Sequence, residues 1–147
     1  MKKLSPKELI TADKFIVTHI LFRKRLHQRF KERDIYPGQP AILHIINEFG
    51  VCSQKDICDK IMTSPASVAV SIRRMQNMGL IEKLTDEKDM RFNKIRLTKK
   101  GVEAHNYCRN ELKALSDEML DGFSENEKNE FDRMLVKMIE NLSKEEQ

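Results

Sequence analysis

Ser64, Ser67 and Ser71 lie within one short stretch with Arg73 and Arg74 just behind them, and Lys88, Asp89 and Arg91 form a second run. Serine hydroxyls bond to phosphates and to base edges, and cations neutralise phosphates. These side chains suit a polyanionic partner better than a reaction centre. The chain has no phosphate-cradling glycine loop, no nucleophile motif and no metal-ligand spacing. Its five glycines fall mostly at expected helix ends, leaving little from which to build a catalytic loop. Neither catalysis nor a cofactor is expected.

Charge distribution agrees. The 147 residues carry a net +4, but residues 1–36 hold +6, residues 37–100 hold +4 and residues 101–147 hold −6. A basic first two-thirds fits a nucleic acid, with the acidic tail kept away from it. No apolar run approaches the roughly 20 residues that span a membrane, and the start of the chain lacks a signal-peptide core, so a cytoplasmic protein is expected. Cys52, Cys58 and Cys108 are odd in number and unpaired in spacing, as expected of reduced thiols.

The elements that must position these residues follow from periodicity and caps. A long helix is expected from about Pro6 to Arg33, with Phe15, His19, Phe22, Leu26 and Phe30 on one face and Ile10, Val17 and Leu21 on another. Pro37-Gly38 breaks it. A short helix over 39–49 buries Ile42, Leu43, Ile45 and Ile46 and ends at Gly50. Ser53 and Asp56 form a capping-box pattern for the next helix, which turns Ile57, Cys58 and Ile61 inward. Ser64-Pro65 then caps another, with Val68, Ile72 and Met75 inward and Gly79 closing it. Two short capped helices so spaced are a helix-turn-helix pattern. Leu80–Thr85 and Asn93–Leu97 read as strands around a charged turn, a β-wing. Thr98 opens a long helix with His105, Cys108, Leu112, Leu115 and Met119 in one seam; Asp121-Gly122 interrupts it. Ser124 and Glu127 box the last helix, seamed by Phe131, Leu135, Met138 and Leu142. These narrow stripes read as a dimer interface together with the first helix. The alternative is that they fold back on their own chain.

In order and spacing, the helix-turn-helix, the Gly79-Leu80-Ile81 step, the wing Asp86-Glu87-Lys88-Asp89-Met90-Arg91 and the exit Ile95-Arg96-Leu97-Thr98-Lys99-Lys100-Gly101 resemble the multiple antibiotic resistance regulator (MarR) family. The resemblance covers nearly the whole chain. It implies a mainly α fold with a small β-wing, one domain over 1–147: a winged helix-turn-helix lobe at about 37–100, flanked by dimerisation helices at about 1–36 and 101–147. It also implies a homodimer on a pseudo-palindromic operator in double-stranded DNA, in many members a repressor released by a small, often phenolic or anionic effector.

On this reading Ser64, Pro65, Ala66 and Ser67 form the base-reading start of the recognition helix, with Val70 and Ser71 one turn on. Ser64 also caps it. Pro65 and Ala66 offer apolar contact to thymine methyls. The family often places a polar or basic residue where Val70 stands, so methyl or shape readout is expected there. Phosphate contact is the expected role of Arg73 and Arg74, with pairing to an acid such as Glu82 the alternative. Gln54 and Lys55 are expected phosphate clamps. Arg91 fits a narrow minor groove; Asp89 resembles the family acid that orients this arginine, and Lys88 adds a phosphate contact.

Two other functions compete. One is a metal- or redox-switched regulator of the same fold using His44, His105 and Cys108. Some family members sense zinc with histidines in these regions, but Arg109 stands one turn after His105 and no third ligand completes a site, so no metal is expected. The peroxide-sensing branch carries its cysteine in the first helix, which has none here. The other is a winged-helix protein-interaction module, disfavoured because the exposed helix start offers serines rather than aromatic anchors. Replacing Arg91 with Ala is expected to weaken DNA binding and flatten its salt dependence; binding unchanged across a salt titration would sink the wing assignment.

Overall fold

The computed structural model describes residues 6–61, 63–84 and 94–144. Its elements run in the order α1 (Thr11–Lys31), α2 (Gln39–Phe49), β1 (Val51–Ser53), α3 (Gln54–Ile61), α4 (Pro65–Asn77), β2 (Ile81–Leu84), β3 (Lys94–Leu97), α5 (Lys99–Met119) and α6 (Glu125–Leu142). The fold is the expected one, helices with a small sheet. The chain divides into two compact units, residues 1–113 and 114–147.

In the first unit, a 3₁₀ turn at Pro6–Glu8 precedes α1, so the helix begins later than its periodicity suggests. The helix ends where Asp34 takes a left-handed conformation and the Ile35 amide returns to the Phe30 carbonyl at 3.0 Å. α2 is the most apolar helix of the lobe and turns Ile42, Leu43 and Ile46 into the core; Ile45 is only half-buried. Those side chains meet Ile57 of α3, Val68, Ile72 and Met75 of α4, and Leu80, Ile81 and Ile95 around the sheet. Each such aliphatic side chain contributes roughly 1.5–3 kcal/mol by leaving water.

The sheet has three strands in the order β1-β3-β2, both pairs antiparallel. β2 and β3 are the expected wing strands. β1 is an addition: three residues are too short to show a strand period, and Ser53 reads as a helix cap, which it also is. Cys52 faces Ile95 across the β1–β3 pair, and both are buried.

α4 ends in a Schellman turn. Gly79 is left-handed (φ 71°), its amide reaches the Gln76 carbonyl at 3.0 Å, and Leu80 reaches Met75 at 2.9 Å. The outward carbonyls of that turn are taken by the start of α5. Thr98 donates from Oγ1 to Gly79 (2.6 Å) and from its amide to Leu80 (3.0 Å), and Lys100 Nζ donates to Met78 (2.8 Å). Thr98 Oγ1 also accepts from the Gly101 amide at 3.1 Å, capping α5. Gly101 is buried hard against this turn.

In the second unit, Ser124 and Glu127 form the expected capping box: Glu127 accepts from the Ser124 amide at 2.8 Å, and Ser124 Oγ accepts from the Glu127 amide at 3.3 Å. The Ser124 amide, and then its hydroxyl at 2.8 Å, donate to the carboxylate and hold Glu127 below its ordinary value. α6 buries no residue within the chain.

A methyl group at Gly101 would collide with the Leu80 carbonyl oxygen and lie 3.3 Å from Leu97 Cβ. Helix propensity favours alanine over glycine by ~1 kcal/mol, but overpacking against backbone costs about 1–3 kcal/mol. Gly101→Ala is therefore expected to lower stability by up to about 2 kcal/mol net in urea denaturation; a more stable variant would refute the close packing.

Candidate nucleic-acid interface

Helices α3 and α4 form the helix-turn-helix, and each starts on a cap that the sequence specifies. Asp56 accepts from the Ser53 amide and hydroxyl, both at 2.7 Å, and Ser53 Oγ accepts from the Asp56 amide at 3.2 Å. The backbone bond, then the hydroxyl bond, hold the Asp56 carboxyl below its ordinary value. Gln54 and Lys55 occupy the first turn of α3, Gln54 half-buried and Lys55 exposed. At α4, Ser64 Oγ accepts from the Ser67 amide at 3.3 Å and shares a hydroxyl bond with Ser67 at 2.9 Å. Pro65 follows at the start of the helix.

The two faces of α4 separate cleanly. Val68, Ile72 and Met75 are buried, whereas Ser64, Pro65, Ala66, Ser67, Val70 and Arg73 are exposed and Ser71 is half-buried. Val70, at 59% exposure, is a large apolar side chain left in solvent on the outer face. The exposed set forms one surface over the N-terminal half of the helix. Lys88, Asp89 and Arg91 lie outside the described residues.

Arg74 is placed differently from Arg73. Its guanidinium carbon lies 4.2 Å from the centre of the Tyr36 ring, in the connection between α1 and α2. Neither arginine pairs with Glu82, which lies opposite Arg96 across the β2–β3 pair and accepts from it at 2.6 Å. Cross-strand register brings that pair together, whereas the arginines of α4 stand on another element. The Tyr36 contact was not visible in the sequence; its only signal was an aromatic residue beside Pro37-Gly38. Gln39 is likewise buried without warning, its Oε1 accepting from the Tyr36 amide at 3.0 Å.

A cavity of about 680 Å³ lies behind the helix-turn-helix, lined by Tyr36, Arg74, Met78, Lys100, Glu103 and Tyr107 among others. Arg33 lies over the Tyr107 ring at 5.1 Å, and Tyr107 donates to the Arg29 carbonyl at 2.9 Å. A second, of about 550 Å³, lies between α1 and the start of α2, with His19, Arg23, Lys24 and His27 around Ile20 and Phe30.

Of the expected dimerisation residues, Leu115 is buried, Leu112, Phe131 and Leu135 are half-buried, and Met119 and Met138 are exposed. Leu142 is 83% exposed. Phe15, Ile16, Val17, Ile20 and Leu21 of α1 are exposed as well. Among the described residues, no group of three or more His, Cys, Asp or Glu side chains gathers to hold a metal ion, and no helix is long and apolar enough to cross a membrane.

Residues 35–92 match the sequence model of the MarR family. The HTH-type transcriptional regulator YybA of Bacillus subtilis is 27% identical over 116 residues, which cover 79% of this chain and 77% of that protein. Among solved structures, a mutant of S. aureus MepR superposes with a TM-score of 0.79 at 20% identity, covering 92% of this chain and all of that one. Another MepR mutant, bound to an oligodeoxyribonucleotide, superposes with a TM-score of 0.65 at 21% identity, with the same coverage. Residues 35–92 carry a MarR-family winged helix-turn-helix domain, and the chain is similar along most of its length to HTH-type transcriptional regulators. It is a DNA-binding regulator of transcription and not an enzyme.

The cysteines are free thiols, with Cys52 and Cys108 buried and Cys58 half-buried. Burial raises the Cys52 thiol, with Asp56 adding to the effect. Burial pushes Cys108 up to about 11 from an ordinary 9.0, so near neutrality it holds about a hundredfold less thiolate than an ordinary thiol. Alkylation of folded protein near pH 7.5, followed by mass spectrometry, is expected to modify Cys108 about a hundredfold more slowly than a free thiol. Rapid modification would reopen the redox-switched alternative.

Proposed function

We propose that the protein acts in the cytoplasm as a homodimeric, effector-responsive repressor of a pseudo-palindromic operator. The observation that carries this reading is the split of α4: one face locked into the core, the other presenting Ser64, Ser67, Val70 and Ser71 to solvent. A recognition helix needs that division, since its inner face fixes the angle at which the outer face meets base edges.

In this reading the lobe at about 37–100 reads DNA, and helices within 1–36 and 101–147 pair with a second copy. The exposed apolar side chains of α1 and α6 support the pairing, because an unpartnered apolar stripe of that length marks an interface. Leu112, Leu115, Met119, Phe131, Leu135, Met138 and Leu142 supply the seam. Base edges fall to Ser64, Pro65, Ala66, Ser67, Val70 and Ser71, with Val70 contacting thymine methyls. Gln54, Lys55 and Arg73 hold phosphates, joined at the wing by Lys88 and by Arg91, which Asp89 orients. Arg74, drawn onto Tyr36, steadies the helix more than it binds phosphate. The two cavities are large enough to admit a small effector.

Footprinting on DNA flanking the protein's own gene is expected to protect two half-sites about one helical turn, ~34–36 Å, apart. Arg73→Ala is expected to reduce the salt slope of binding by about one phosphate contact, and Arg74→Ala to weaken binding with the slope unchanged. A single half-site, a monomer at assay concentration, or equal slopes for the two variants would contradict these assignments.

A further inference from the structure

One side-chain pair is left unused by DNA reading or dimerisation. His44 on α2 and His105 on α5 stack with ring planes 6° apart and centroids 5.7 Å apart. His44 Nδ1 lies 3.4 Å from His105 Nε2. His105 is buried, and its Nδ1 has no hydrogen-bond partner.

A bond between two imidazole nitrogens holds one proton, because one ring donates and the other accepts. A proton on the buried Nδ1 of His105 would be an unpaired donor, costing about 1–3 kcal/mol. Hydrogen-bond accounting therefore puts the His105 proton on Nε2, donating to His44 Nδ1, and the His44 proton on its own Nε2. This neutral arrangement leaves no N–H buried and unpaired. A further proton disrupts it wherever it lands. On His44 Nδ1 it faces the His105 N–H, and on His105 Nδ1 it is buried where no formed hydrogen bond accepts it.

We propose that the His44–His105 pair is a proton-operated latch: neutral, it ties α2 to α5 and holds the lobe in its DNA-reading geometry, and mild acidification opens it and weakens DNA binding. The proposal rests on the role given to α4 above. The link to α4 is structural at both ends of the latch. α2 packs on α3, β1 and β3, and α5 begins at the Thr98–Lys100 contacts on the end of α4.

Among the described residues, the ionisable groups that act on His105 are His44 and Glu48 from α2 and Arg109 from α5, with Asn106 as a hydrogen-bonding neighbour. Burial is the largest influence and lowers His105 below the ordinary 6.5; Asn106 and Glu48 oppose it, and His44 and Arg109 add to it. The unfolded chain therefore takes up this proton first as pH falls. The stability that the neutral pair contributes is complete above the ordinary histidine value and is lost as pH falls through the lowered one. Elsewhere the sign is reversed. His19 and His27 are exposed on α1, and their protonation adds positive charge, which strengthens binding to DNA.

The test measures binding to the duplex flanking the protein's own gene, and to an unrelated duplex, at about pH 7.5 and about pH 5.5 at fixed ionic strength. Wild type is expected to bind about tenfold more weakly at the lower pH, an ordinary size for coupling between two sites. His44→Phe, which stacks but takes no proton, is expected to weaken by less than about twofold or to strengthen. His44→Asn keeps an acceptor for His105 and serves if the phenylalanine variant does not fold. Imidazole NMR titration without DNA is expected to show both rings titrating in one step with the α2 and α5 amides. Wild-type pH dependence persisting in the folded variant overturns the latch, as do two rings that titrate independently without moving those amides. Failure to bind either duplex at any pH counts instead against the reading of α4, and the NMR titration still decides the latch.

Discussion

The turn at Met78-Gly79-Leu80 is the constraint on which the placement of α4 depends. A helix end leaves carbonyls without partners inside the helix, and buried carbonyls must find them elsewhere. Here Thr98 and Lys100 supply donors to all three residues of the turn. The exit of α4, the exit of the wing and the start of α5 are thus one hydrogen-bonded junction. Each bond is worth about 1 kcal/mol net, a modest sum beside the burial of Ile72, Met75, Leu80 and Ile81. What the bonds add is direction. Apolar burial tolerates a helix sliding by a fraction of a turn, whereas three directional bonds to one turn do not. Gly101 completes the junction, since only a residue without Cβ lets α5 approach the Leu80 carbonyl so closely.

Much of this was legible in the sequence because local signals and packing agree there. Ser53 with Asp56, Ser64 with Pro65, and Ser124 with Glu127 mark helix starts that the structure reproduces, since a cap is decided within four residues. Gly50 and Gly79 mark helix ends for the same reason. The core residues of α4 followed from their spacing alone. What escaped depended on distant partners. β1 exists only because β3 pairs with it, and three residues carry no period of their own. Tyr36 lies in the connection between α1 and α2 and Gln39 at the start of α2; the Arg74 contact on the Tyr36 ring and the Met78 contact on buried Gln39 come from α4 and its C-cap, which are distant in sequence. That His44 and His105 could approach each other was foreseeable, but their parallel stacking and the buried nitrogen were not. The roles of single side chains on α4 are less legible still: exposure and type limit what they can touch, but only the partner decides what they do touch.

The apolar surface shows the same division between local and distant causes. Residues 6–113 bury a continuous core from α2, α3, α4 and the sheet, yet α1 leaves Phe15, Ile16, Val17, Ile20 and Leu21 exposed. Scattered apolar residues on a surface need no explanation. Five within seven positions of one helix do, and α6 repeats the pattern with Met134, Val136, Met138, Ile139 and Leu142. A helix with such a stripe gains little by folding alone, because most helical stability comes from burying one face. The exposed apolar residues and the buried lobe core therefore answer different requirements: the core fixes α4 within one chain, whereas the exposed residues of α1 and α6 contribute nothing to it.

α4 itself is held from several sides. Its N-terminus is closed by Ser64, its C-terminus by the junction with Thr98 and Lys100, and its rear by Tyr36 under Arg74. The last contact differs from the others in kind. A cation over an aromatic ring is worth about 0.5–1 kcal/mol when exposed, and Tyr36 stays partly in solvent beside the 680 Å³ cavity. The caps are built from backbone and adjacent side chains and move only if the helix unwinds. The Arg74–Tyr36 contact can part by a side-chain rotation at small cost. An adjustment of the outer face of α4 short of unfolding therefore meets its weakest hold at Arg74, where the connection between α1 and α2 touches the helix.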